Sequence, residues 1–394
     1  MKTSTRCVHL SEFEDQYGAT VPPIYQTATF QQSSATEFGE YDYSRSGNPT
    51  RTVLETHLAE LENGRHASAF ASGMAAITAL TRLLNSGDEI IAGNDLYGGT
   101  VRLLGQILPR QGIGVRYVDT SDVDAVRKAV SSRSKLLLVE TPSNPFLRIS
   151  DIRRLGELAH DAGAWLAVDN SMLSPIFQQP LDLGADFVIH SATKFLSGHS
   201  DITAGVIVTK SSELHEQIAF QQNAEGAGLS PFESWLLIRG LKTLSLRVER
   251  QNHSAARVAQ FLQGVPEVKK VYHPSLIDHA ARVVHLGQAT GDGAVISFIT
   301  GDEQFSKQIV EGTKLFSIAV SFGSVASTIS LPYCMSHASI PPALRDQLAP
   351  PSDLVRLSVG IEDVDDLIED LSLAIQSAIV CRGKVSKVAA ARVC

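Results

Sequence analysis

At 394 residues the chain is longer than one hydrophobic core usually sustains, so two domains are expected. Its 43% hydrophobic and 19% charged content is that of an ordinary globular protein, and a net charge of -8 argues against a nucleic-acid or anionic-membrane surface. No apolar run approaches the roughly 18 residues of a membrane span, and the opening residues MKTSTRCVHLSEF lack the apolar stretch of a secretory signal.

Residues 1–48 carry little periodicity and many turn formers, as in VPPIYQTATF (Val21 to Phe30), and are expected to form an extended arm. A cofactor domain is expected over 49–247. From about Arg51 to Lys210, helical stretches alternate with short apolar runs: DEIIAG, KLLLVET, AWLAVD and ADFVIH. That alternation predicts a mostly parallel sheet with crossover helices. The stretch Glu233 to Leu262 predicts a long helix broken at Gly240. Beyond it KKVYHP, GAVISFI and LVRLSVG read as strands separated by helices, which predicts a smaller α/β domain over 248–394. The tail Val380 to Cys394 is basic, has no clear apolar face and is expected to fray. Cysteines 7, 334, 381 and 394 lie far apart with no zinc-type spacing, so reduced thiols and no metal are expected.

Two apolar runs end in groups that carry chemistry. Asp169 closes WLAVD, and Lys194 follows FVIH within HSATKFLSGHSD. In an open parallel sheet the C-terminal strand edges line the ligand crevice. An amine and a carboxylate delivered to neighbouring edges suit pyridoxal phosphate (PLP): the amine links to the aldehyde, and the carboxylate keeps the pyridine nitrogen protonated. Taken singly, each is more often a surface lysine or a capping aspartate. Ser191 and Thr193 shift the balance, because hydroxyls beside the amine can hold the cofactor's phosphate.

VDNS followed by HSATKFLSGHSD resembles the Cys/Met-metabolism family of PLP enzymes, which includes cystathionine lyases and synthases. The resemblance runs from about Tyr17 to about Ser372. It implies the fold type I, aminotransferase-like α/β architecture, with a large cofactor domain and a smaller C-terminal one. Ser72-Gly73-Met74 precede an Ala/Leu-rich helix whose start can bind phosphate; the resemblance assigns the N–H groups of Gly73 and Met74 to that task. Tyr43 and Arg45 sit two apart in YDYSRSGNPTR and can project from one side. The resemblance implies that they reach the phosphate bound by a neighbouring subunit, making a homodimer the minimal unit and a homotetramer the expected assembly. It also implies that Tyr97 in DLYGGT stacks on the cofactor ring and helps deprotonate the incoming amine, and that Asn144 in ETPSNP lies near the cofactor's phenolic oxygen and the substrate carboxylate. Arg356 stands in an apolar strand, where a charge needs a partner. By resemblance it clamps the substrate α-carboxylate with Ser321; a structural salt bridge is the other reading.

Within the family, reaction choice is read from finer features. Val320 stands where many γ-acting members carry glutamate, and Gly99 where methionine-cleaving members have cysteine. YDYSRSGNPTR, VDNSMLSP, KLFSIAVSFGSV and MSHASIP resemble the plant-type β-eliminating members that cleave cystathionine to homocysteine, pyruvate and ammonia, a step in methionine synthesis. The alternatives are a γ-acting member, a β-lyase acting on cystine or another S-substituted cysteine, and a non-enzymatic protein on the same scaffold. The expected compartment is the cytoplasm, or the plastid stroma for a plant protein without its transit peptide.

Overall fold

The computed structural model describes residues 1–10, 13–276, 279–338, 340 and 344–391. Among the described residues, twelve strands form two sheets. The larger sheet comprises β1 (His66–Phe70), β2 (Glu89–Gly93), β3 (Gly114–Val118), β4 (Ser134–Glu140), β5 (Trp165–Asp169), β6 (Phe187–Ser191) and β7 (Gly205–Thr209). Their order is β1-β7-β6-β5-β4-β2-β3. The run β6-β5-β4-β2-β3 is parallel; β7 is antiparallel to both β6 and β1.

The apolar runs are continuous because both faces of this sheet are covered. Leu137, Val139, Leu166, Val168 and Val188 pack in one core cluster. Leu136, Leu138, Ala167, Phe187 and Ile189 pack in another. That alternation continues to the strand ends. Glu140 and Asp169 are cross-strand register partners, as are Asp169 and Ile189, so all three share a face. His190 follows the opposite parity, with Asn170. There its Nε2 lies 2.6 Å from Glu62 Oε1, and Asn170 Nδ2 donates to the same oxygen at 2.9 Å.

The second sheet comprises β8 (Lys270–Tyr272), β9 (Val295–Ile299), β10 (Ser317–Ile318), β11 (Thr328–Ser330) and β12 (Leu354–Ser358), in the order β10-β11-β12-β9-β8. Arg356 sits in the middle of β12, opposite Ser330 and Ser297.

Three expectations are corrected. The arm is not extended throughout: Thr3–Val8 is helical, and its Cys7 is buried. The described remainder, residues 9–10 and 13–48, is largely irregular, with a bridge between Thr29 and Tyr43. The long helix breaks at Lys242–Thr243, between helices Pro231–Leu241 and Leu244–Gln263. Gly240 itself stays helical. A Cβ there would lie 2.6 Å from Ser197 O, so glycine permits close packing rather than a break. Finally, the tail does not fray at Val380: the helix Val364–Ala391 runs on through it. Arg392 to Cys394, and Ser339 and Pro341 of the MSHASIP stretch, lie outside the described residues. No helix among the described residues is long and apolar enough to cross a membrane.

Candidate active site

The parallel strand ends and the second sheet meet at a cavity of about 460 Å³. It brings together Gly73, Met74, Tyr97, Asn144, Asp169, Ser191, Thr193, Lys194, Val320, Ser321 and Arg356. Tyr43 and Arg45 are not brought there. They lie on the arm, where the Arg45 guanidinium sits 5.6 Å from the Tyr43 ring centroid and Nη1 donates to Asn223 O at 3.2 Å.

Lys194 is positioned by the turn that follows β6. Its backbone N–H donates to Ser191 O at 3.0 Å, and Gly198 N–H to Lys194 O at 2.8 Å. The turn is pinned by buried Arg247, which donates to Phe195 O at 2.8 Å, Leu196 O at 3.2 Å and Gly240 O at 2.9 Å. The Lys194 ammonium donates to Ser321 Oγ and lies 4.9 Å from the Phe322 ring centroid. Burial and the nearby Arg356 charge lower its pKa to about 8, against the opposing pull of Asp169 and Glu140. Half of the amine is therefore free base near pH 8 rather than 10.5. In the cofactor-free protein, an amine-selective reagent should label Lys194 with a midpoint near that pH, read by peptide mass spectrometry. A midpoint at the ordinary lysine value would show that the amine is not desolvated.

Asp169 is part-buried at the end of β5, and its Oδ1 accepts the Ser171 N–H at 2.9 Å. Ser171 Oγ in turn accepts the Ser191 N–H at 2.6 Å, tying the ends of β5 and β6 together. Burial raises the Asp169 pKa; Ser171, His190 and Lys194 act in the opposite sense. Arg356 is 2% exposed, which answers the question its sequence posed. It is not held in a carboxylate salt bridge: Nη1 donates to Asn144 Oδ1 at 2.8 Å and Nη2 to Ser321 O at 3.2 Å. Both partners are neutral, so the positive charge remains available to a carboxylate ligand. Ser321 adopts φ 84°, a backbone strain that accompanies the aiming of its oxygen atoms at Lys194 and Arg356.

The residues fit pyridoxal phosphate. At one end, helix Gly73–Thr81 starts with Ser72 capping Ala75 N–H at 3.0 Å, while Gly73 and Met74 face the cavity beside Ser191. A Cβ on Gly73 would meet Ser191 Cβ at 3.0 Å, so glycine keeps this anion cradle close-fitting. Thr193 closes it: its Oγ1 accepts Ala204 N–H at 2.9 Å. A part-buried carboxylate suited to the ring nitrogen and an amine suited to the aldehyde complete the donor set.

Sequence reasoning missed other lining residues: Thr100, Arg102, Glu140, Thr203, Phe322, Met335 and Ser336. Glu140 could have been found as the last residue of KLLLVE, on the same strand-end logic that found Asp169. Thr100 and Arg102 stand one turn along the short helix Gly98–Arg102 that begins at Tyr97.

Comparisons with known proteins give the family and the fold. Residues 4–376 match the family described as Cys/Met metabolism PLP-dependent enzyme. A chloroplastic cystathionine beta-lyase of Arabidopsis thaliana is 52% identical over 95% of this chain and 81% of its own length. A cystathionine beta-lyase of Neurospora crassa is 50% identical over 93% of this chain and 80% of its own. Among solved structures, cystathionine gamma-lyase from Lactobacillus plantarum complexed with L-serine superposes with a TM-score of 0.93 at 42% identity, covering 96% of this chain and 99% of that one.

Proposed function

The chain belongs to the Cys/Met metabolism PLP-dependent enzyme family, and from that premise we propose that it is a carbon–sulfur lyase that eliminates the β-substituent of cystathionine, giving homocysteine, pyruvate and ammonia. The observation that carries this reading is the meeting of Lys194, Asp169 and Arg356 in one cavity between the two sheets. Similarity to two cystathionine beta-lyases at half identity or more supports the substrate. Such a step serves methionine biosynthesis.

When bound, PLP supplies an electron sink for the charge left on the substrate's Cα. The protein's residues supply the rest. Arg356 and Ser321 hold the α-carboxylate, so the substrate's Cα faces Lys194. Lys194, whose amine pKa is lowered to about 8, removes the Cα proton and later delivers a proton to the departing sulfur. Asp169 holds negative charge where a protonated ring nitrogen needs it. Tyr97 covers the ring and takes part in moving the substrate amine's proton. Water then completes hydrolysis of the released three-carbon fragment to pyruvate and ammonia.

The rival within the family is γ-elimination, and a solved γ-lyase shares the fold closely. Val320 favours the β-reaction: it is a half-exposed apolar side chain on the cavity wall beside Ser321, and it offers no group to move a second proton. The purified PLP-loaded protein should therefore yield pyruvate as the main keto acid from cystathionine. Dominance of 2-oxobutyrate would overturn the assignment, and a strong preference for cystine would move it to a different β-substrate.

Tyr43 and Arg45 are assigned to a neighbouring subunit's phosphate, which makes each site a product of two chains. Suppose Lys194→Ala and Arg45→Ala each silence their sites. In a mixed two-fold dimer one site then holds both lesions and the other neither. Random mixing leaves about a quarter of all sites intact, so co-refolded variants should regain activity that neither has alone. No recovery in confirmed mixed dimers would place Arg45 outside the neighbour's site.

A further inference from the structure

Glu140 has no task in the scheme above, yet it stands at the centre of the site. It ends β4, is the register partner of Asp169 on β5, lines the same cavity and is 7% exposed. Adjacent strands lie roughly 4.8 Å apart, so two carboxyl groups of one face are forced together. A third, Asp95, is buried in the loop after β2, where it accepts from Ser143 Oγ and from Phe146 N–H at 3.2 Å. The charged groups that act on Glu140 are Asp169, Asp95, Arg356 and Lys194, and the Tyr97 backbone amide favours its charged form. Arg148 offsets Asp95 only in part, because it also pairs with Asp119 at 2.8 Å.

We propose, resting on the PLP-site reading above, that Glu140 is a positioning residue that stays a neutral carboxylic acid and shares a single negative charge with Asp169, so that the charge stands on the carboxylate facing the cofactor ring.

Like charges on adjacent strands of one face oppose each other's ionisation. The supports decide which one ionises. Asp169 has the Ser171 N–H at 2.9 Å, with His190 and Lys194 near it. Glu140 has the Tyr97 amide and a guanidinium already engaged by Asn144 and Ser321. Burial, Asp169 and Asp95 all push the Glu140 carboxyl well above its ordinary range. The consequence for binding is direct. With Glu140 neutral, Lys194 and Arg356 face one negative charge at Asp169, and the excess positive charge suits an incoming α-carboxylate. An ionised Glu140 would cancel Arg356 and repel that carboxylate.

The test is infrared difference spectroscopy of the PLP-loaded protein, wild type minus Glu140→Gln, with ¹³C-labelled glutamate to identify the band. A label-sensitive carboxylic-acid band at neutral pH is expected in the wild type and absent in Glu140→Gln. The reciprocal variant gives the readout that a structural glutamate would not move. In Asp169→Asn the shared charge must pass to Glu140, so the acid band should shrink at the same pH. Asp95→Asn should leave it. If Glu140→Gln does not fold, the labelled wild type and Asp169→Asn still decide. The proposal is overturned by absence of the band, by its persistence unchanged in Asp169→Asn, or by its loss in Asp95→Asn alone. None of these outcomes depends on which sulfur substrate is cleaved, so failure here is distinct from failure of the product assay.

Discussion

Lys194→Ala should abolish turnover while leaving the fold and much of the cofactor site intact. The amine is part-buried, donates to Ser321 Oγ and is the free base in quantity near pH 8. It is asked both to remove the Cα proton and to protonate the departing sulfur. Losing a positioned acid–base group lowers rates by about 10² to 10⁴, and one residue serving two transfers places the expected loss at the upper end. The cradle at Gly73, Met74 and Ser191 remains, so PLP should still be retained by its phosphate. Borohydride treatment should fix PLP to Lys194 in the wild type and to no lysine in the variant, by peptide mass spectrometry. Turnover within a few-fold of wild type would remove Lys194 from the chemistry and with it the mechanism.

The second large effect is expected at Asp169. Asp169→Asn keeps the shape and removes the charge. Electrostatic stabilisation by one preorganised group is worth about 10² to 10³ in rate, so kcat for elimination should fall by on the order of a hundredfold, with the cofactor's absorption spectrum altered. The loss should be smaller than at Lys194, because the Glu140 carboxyl on the next strand can take up part of the missing charge. Unchanged elimination would show that Asp169 does not face the ring. A variant that loses PLP outright would instead give Asp169 a holding role.

Much of this site could be read in the sequence, because its main residues announce themselves by violating local expectation. Asp169 and Lys194 are charged groups set at the ends of runs otherwise buried on both faces, and Arg356 interrupts an apolar strand. Such residues need a reason, and in each case the reason is the cavity. What stayed hidden lacked that contrast. Glu140 also ends an apolar run, and the strand-end logic that found Asp169 reaches it too, but its pairing with Asp169 shows only in the register. Arg102 is reached through a helix of five residues, too short for a periodic signal. The Thr3–Val8 helix is likewise too short to declare itself; burial of Cys7 shows that tertiary packing holds it. Gly240 misled for the opposite reason. Its composition suggested a break, whereas its small size lets the helix approach the turn after Lys194.

The catalytic apparatus straddles a seam. Lys194, Asp169 and the phosphate cradle come from the larger sheet and its loops, while Arg356 and Ser321 come from the β12 strand and the irregular segment before β11. Hydrogen bonds cross between the two sides at this point: Lys194 to Ser321, Arg356 to Asn144 and Val325 N–H to Gly198 O at 2.8 Å. Neither side is a working unit without the other. A displacement far smaller than unfolding, enough to stretch those bonds past hydrogen-bonding range, disarms the protein while every strand remains paired. A bound amino acid, gripped by its carboxylate on one side and by its amine on the other, acts as a bolt across the joint. Heat should therefore silence catalysis before it melts the sheets, and substrate should narrow the gap between the two temperatures.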